Sequence, residues 1–195
     1  MIINLLETQT YPWEDKPTMP GFEFLKGGKL EVAMLQLDLN SFSKNMLWTH
    51  SVSLPVNIEA TKNIQHLVQN YQNYIENEWL GLIENIKKIS NNKPIFSWKD
   101  EGQLLADNFQ MVAGKNLGID DFYGIGDYIT LTNKNWKNLD VVDILEIKEI
   151  NKIMTISKID ALYKIQATAL IIQDFFFGNN YKINEFCAAY KLYNN

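Results

Sequence analysis

Three aspartates and four glycines crowd into residues 114–127, Gly-Lys-Asn-Leu-Gly-Ile-Asp-Asp-Phe-Tyr-Gly-Ile-Gly-Asp. Carboxylate oxygens on a backbone freed by glycine are what a hard cation such as calcium requires. The spacing of Asp120, Asp121 and Asp127 does not follow the calcium loop of an EF-hand, so a plain acidic loop is expected and no metal ligand is assigned. A phosphate loop around Gly114-Lys115 would need a glycine where Phe109 stands and a Ser or Thr where Asn116 stands. Gly124-x-Gly126 lacks the third glycine of the dinucleotide fingerprint and leads into an apparent strand rather than a helix.

Nucleophilic chemistry has equally little support. Cys187 lies between Phe186 and Ala188, an apolar setting that disfavours the thiolate and suits a buried structural thiol. With two histidines, His50 and His66, and one cysteine, the ligand supply for zinc is short. Glu76 and Glu78 point about 200° apart on a helix and do not converge. No catalytic residue and no cofactor is therefore assigned, though an enzyme with a pocket at loop 114–127, with Asp120 or Asp121 as acid, base or metal ligand, is retained as the alternative.

The charge distribution says more. The 18 basic residues are all lysine, so the chain lacks the planar fork that clamps phosphates and reads base edges. The net charge of −5 falls in residues 100–127, where Asp100, Glu101, Asp107, Asp120, Asp121 and Asp127 face only Lys115. The flanks together are neutral. Such a window argues against nucleic acid or an anionic membrane as partner and for a basic protein. The expected function is an acidic protein-binding module that neutralises or regulates such a partner. An immunity protein or antitoxin for a basic toxin domain, such as a nuclease, is the concrete version. Asp107, Asp120, Asp121 and Asp127 would form ion pairs while Phe122 and Tyr123 serve as apolar anchors. A third reading is a subunit of a larger assembly that uses an amide-rich helix face.

No run approaches the ~18–20 apolar residues of a membrane span. Residues 1–10 have no basic residue ahead of their apolar patch and do not read as a secretory signal. One cysteine excludes an internal disulfide framework, which favours a reducing compartment and a cytoplasmic location.

The elements that would position these groups form a single α+β domain. Its small N-terminal antiparallel sheet is expected to pack against two long helices. Residues 1–28, punctuated by Pro12, Pro17, Pro20 and Gly21, read as an irregular arm with a short strand near 22–25. Residues 29–56 read as a hairpin. Leu30, Val32 and Met34 alternate in one phase and Leu35, Leu37 and Leu39 in the other, which predicts a bulge near Met34. His50 falls on the apolar face of the second strand, where a hydrogen-bonded core histidine is expected. Residues 57–90 carry apolar residues at three- and four-residue spacing throughout, predicting one long helix capped by Asn57, with Gly81 marking a bend or close packing. Its polar face is amide-rich, with Gln69, Asn70, Asn73 and Asn77. Residues 94–98 read as a strand, 101–112 as a helix ended by Gly114, and 128–132 as a strand. The part from 139 to 195 reads as helical. Residues 158–177, apolar nearly all round, predict a buried helix packed on the first long one.

Overall fold

In the computed structural model, residues 1–12, 28–54, 65–99, 101–131, 139–147 and 160–192 are described. The chain is an α+β protein built on one sheet. Strands β1 (Ile2–Pro12), β2 (Gly28–Asp38), β3 (Lys44–Ser53), β4 (Ile95–Ser97) and β5 (Phe122–Gly124) lie in the order β3-β2-β1-β4-β5. β1 pairs antiparallel with β2 and parallel with β4, β2 pairs antiparallel with β3, and β4 runs parallel to β5. The helices are α1 (Gln65–Ser90), α2 (Glu101–Ala113), α3 (Ile125–Thr130), α4 (Val141–Ile147), α5 (Ala161–Phe176) and α6 (Asn180–Ala189).

Successive residues of a strand point to opposite faces, and here both faces are covered. Leu6, Val32, Met34 and Ile95 pack beneath Trp79, Leu82 and Ile86 of α1 and Leu105 and Phe109 of α2. Leu5, Ala33, Leu35 and Phe96 pack on the other side, beneath Ile165, Ala169, Ile172 and Phe176 of α5. The two long helices are thus separated by the sheet and do not pack on each other as the sequence suggested. The same arrangement explains the phase change in β2. Its apolar residues switch face because each face has its own core, and the ladder's register shift falls between Gln36 and Leu37, not at Met34.

The largest correction is at the N-terminus. Residues 2–12 are not an irregular arm but the central strand, hydrogen-bonded on both sides. Ile3, Leu5 and Leu6 are buried, so the run lacks the alternation of a one-sided strand. The rest of the expected arm, with its strand near 22–25, lies outside the described residues, as do Asn57 and residues 55–64 ahead of α1. Residues 128–130, read as strand, belong to helix α3. His50 is not a core residue: β3 is an edge strand, and His50 is exposed and stacked on Trp48, with centroids 5.5 Å apart and planes 12° from parallel.

Two helix ends are set by identifiable residues. Asp160 accepts the Tyr163 N–H at 2.7 Å at the start of α5. Gly114 follows α2 with φ +63°, the left-handed conformation that glycine supplies at a helix end. Gly81 is different. A Cβ built there meets nothing within 4 Å, so no close contact demands a glycine. Gly81→Ala is expected to stabilise the protein by about 0.5–1 kcal/mol through helix propensity and the lost freedom of the unfolded chain, read as a rise in the urea midpoint.

Candidate functional site

The acidic window does not form one surface. Asp100 lies outside the described residues. Glu101, in the first turn of α2, is half-buried and accepts a hydrogen bond from the Thr8 hydroxyl. Asp107 is exposed on the outer side of α2, where Gln103 donates to it at 2.6 Å. Phe122 turns toward α2 and fills the space over Gly102, whose absent side chain makes room for it: a Cβ on Gly102 would stand 2.6 Å from the Phe122 ring. These residues do not join the others.

Asp120, Asp121, Tyr123 and Asp127 do gather at the β5 edge of the sheet. Asp120 and Asp121 precede the strand, Asp127 follows it in the first turn of α3, and all three are exposed. Tyr123 points to the α5 side. Its hydroxyl donates to Asp121 at 3.1 Å, and its ring lies 4.8 Å from that of Tyr190, at the end of α6. Tyr190 in turn stands 6.1 Å from Tyr128 of α3. Below them Phe96 and Phe186 form the floor, 5.1 Å and 4.9 Å from the Tyr190 ring.

The three tyrosines are half-buried, and each hydroxyl is pushed above its ordinary pKa, first by burial and then by neighbouring charge. The charge is that of Asp121 at Tyr123, Glu185 at Tyr128 and Asp127 at Tyr190. Among the described residues, none of Asp120, Asp121, Asp127 and Glu185 is in an ion pair with a lysine. Lys182, on the same helix as Glu185, lies over the Phe175 ring at 4.2 Å. The result is a tyrosine shelf rimmed by carboxylates that none of the described lysines pairs with. Tyrosine offers a large, rigid apolar area with a polar tip, and its ring face attracts ammonium and guanidinium groups. Tyr128, Glu185 and Tyr190 were not legible as site residues: only the packing of α6 against α3 and β5 brings them to residues 121–127.

The glycines of the loop have local explanations. Gly118 has φ +65°. Gly126 sits against the β4–α2 turn: its N–H donates to the Trp98 carbonyl at 3.2 Å, and a Cβ there would collide with that carbonyl oxygen. Among the described residues, no three His, Cys, Asp or Glu side chains stand close enough to hold a metal ion.

A second polar cluster lies inside. Glu7 of β1 is buried beneath α5. Its Oε1 accepts the Trp98 N–H and the Thr168 hydroxyl, both at 2.7 Å. Burial pushes its pKa up to about 8, and the charge of Glu101 adds to the rise. The two hydrogen bonds and the Lys164 charge oppose the shift without cancelling it. Lys164 donates to the Thr8 carbonyl at 3.2 Å, and Lys99 pairs with Asp140 at 3.0 Å. These bonds tie β1, the β4–α2 turn and α5 together.

Comparisons with protein families, with curated proteins and with solved structures find no match to this chain. Among the described residues, no helix is long and apolar enough to cross a membrane.

Proposed function

We propose that this protein binds a basic protein partner and neutralises or regulates it in the cytoplasm, as an immunity protein or antitoxin does for a toxin domain such as a nuclease. One observation carries the reading: Tyr123, Tyr128 and Tyr190 form a connected shelf beside Asp121, Asp127 and Glu185, which have no lysine partners among the described residues. The rings provide contact area and the carboxylates steer and orient lysine or arginine side chains. Asp120 extends the rim. Asp107 and Phe122, named from the sequence as further contacts, stand apart from this shelf, and the reading does not depend on them.

The test is affinity capture from a cytoplasmic extract with the wild-type chain and with the triple variant Asp121→Asn, Asp127→Asn, Glu185→Gln. The captured protein should be basic. Its affinity should fall about tenfold in the triple variant and fall steeply between roughly 50 and 500 mM salt only for the wild type. A partner held equally by both chains, with no dependence on ionic strength, would falsify the proposal.

A further inference from the structure

The opposite edge of the sheet is built differently. β5 is three residues long, and aspartates flank it, which makes it a poor template for another strand. β3 is ten residues long and also terminal in the sheet. The Leu54 N–H donates to the Gly28 carbonyl, and the ladder pairs Lys29 with Ser53, Glu31 with Ser51, Ala33 with Thr49 and Leu35 with Leu47. The alternation of an antiparallel ladder then turns the backbone N–H and C=O groups of 47, 49, 51 and 53 away from β2. At Ser53 both outward groups are closed by α1: Glu78 accepts its N–H at 3.1 Å and the Trp79 indole donates to its carbonyl at 2.8 Å. At Leu47, Thr49 and Ser51, no hydrogen bond among the described residues reaches them. Among the described residues, three exposed ladder positions thus adjoin one that α1 closes.

The two faces beside this ladder are unlike. On the α5 side a groove of 410 Å³ runs along the edge, lined by Glu31, Thr49, Ser51, Asp160 and Leu162 among others. Its lining carries two carboxylates and no lysine; Lys29 pairs with Glu31 at 2.7 Å from outside it, the Tyr11 hydroxyl also bonds Glu31, and Asp160 keeps one oxygen beyond the one that caps α5. On the α1 side Trp48 and His50 form a stacked aromatic step. From Asn45 to Ser53 the strand carries no lysine and no carboxylate.

We propose that β3 is a docking edge for an extended basic segment of a partner protein, which adds to the sheet as a sixth strand. Backbone groups of the segment pair with Leu47, Thr49 and Ser51. Its alternate side chains fall into the Glu31–Asp160 groove, which selects lysine or arginine, and onto the Trp48–His50 step, which takes apolar or flat groups. This surface is separate from the tyrosine shelf and does not rest on it.

The experiment uses a capped ten-residue peptide alternating lysine and threonine, followed by amide hydrogen exchange of the full chain. Exchange should slow at Leu47, Thr49 and Ser51. A glutamate–threonine peptide should bind about tenfold more weakly. Thr49→Pro should abolish binding with little change in the urea midpoint, because the lost N–H faces outward. Should that variant fail to fold, the lysine peptide N-methylated at alternate residues gives the same loss on the unaltered protein. The triple variant at the tyrosine shelf should bind the peptide as the wild type does. Absence of binding at millimolar peptide, binding that survives both Thr49→Pro and N-methylation, equal binding of the glutamate peptide, or slowed amides confined to residues 121–131 each overturns the proposal. So does a dimer of this chain that Thr49→Pro dissociates, since the edge would then belong to a second copy.

Discussion

Raising the pH from 6 to 9 should destabilise this protein, and Glu7→Gln should remove most of that loss. Glu7 holds its proton in the folded state up to about pH 8, whereas an exposed glutamate releases it near 4.5. Below the lower value both states are protonated and the group adds no pH dependence. Between the two values the unfolded chain has lost the proton and the folded chain keeps it, so stability falls by up to about 1.4 kcal/mol per pH unit. Above the upper value both are ionised and the loss is complete. Glu101, also raised by burial, adds to the decline. The groups that face Glu7 are Glu101 on α2, Lys164 on α5 and the Trp98 N–H and Thr168 hydroxyl; the Lys99–Asp140 pair lies farther out. A glutamine keeps an oxygen for both donors and puts an amide where the acid carries its proton. Unfolding free energies from urea titration should fall by about 3 kcal/mol more in the wild type than in Glu7→Gln between pH 6 and pH 9. Glu7→Ala should lose about 3 kcal/mol or more at pH 6, because a cavity opens and the Trp98 N–H and Thr168 hydroxyl lose their acceptor, and that deficit against wild type should shrink toward pH 9 as the wild type loses its own stability. Parallel pH profiles for wild type and Glu7→Gln would show that the carboxyl is ionised in the fold.

The second large effect belongs to Gly126. An alanine there drives its methyl into the Trp98 carbonyl oxygen and to 3.1 Å from the indole. The carbonyl is backbone and cannot swing aside. It also receives the Gly126 N–H, and the indole N–H of the same residue donates to the Leu139 carbonyl at 3.1 Å. Gly126→Ala should therefore cost about 3 kcal/mol and displace the first turn of α3, which carries Asp127 and Tyr128. Gly124 is the control. A Cβ there meets the Asp127 carboxylate at 3.4 Å and the Trp98 carbonyl oxygen only at 4.0 Å, and Gly124→Ala should cost less than about 1 kcal/mol. Thermal unfolding of the two variants side by side decides the matter; equal losses would mean that the glycines serve the loop's freedom and not the contact with Trp98.

What could be read from the sequence followed from period. α2, α5 and the β2–β3 hairpin carry clear repeats of three-to-four or two, and they form where those repeats lie. β1 was hidden for a physical reason. Its residues alternate between two buried faces, and Glu7 occupies a core position where an apolar residue would have completed the pattern. α3 spans only six residues, too few to display a helical period, and its Tyr-Ile-Thr favours strands locally. The side of the sheet chosen by α5 depends on pairing that no local pattern encodes. The site divides the same way. Asp121, Tyr123 and Asp127 announced themselves by charge and glycine, while Tyr190 reaches them from an element far along the chain. Phe122 and Tyr123, adjacent in sequence, face opposite sides because β5 is a strand.

The location of partner binding is the central point, and hydrogen–deuterium exchange of the chain with and without its captured basic partner addresses it most directly. Amides of residues 121–131 and 181–190 should be protected in the complex, and that protection should vanish with Asp121→Asn, Asp127→Asn, Glu185→Gln. Protection confined to the outer face of α1, with residues 121–131 and 181–190 exchanging as in the free chain, would contradict the assignment of the tyrosine shelf.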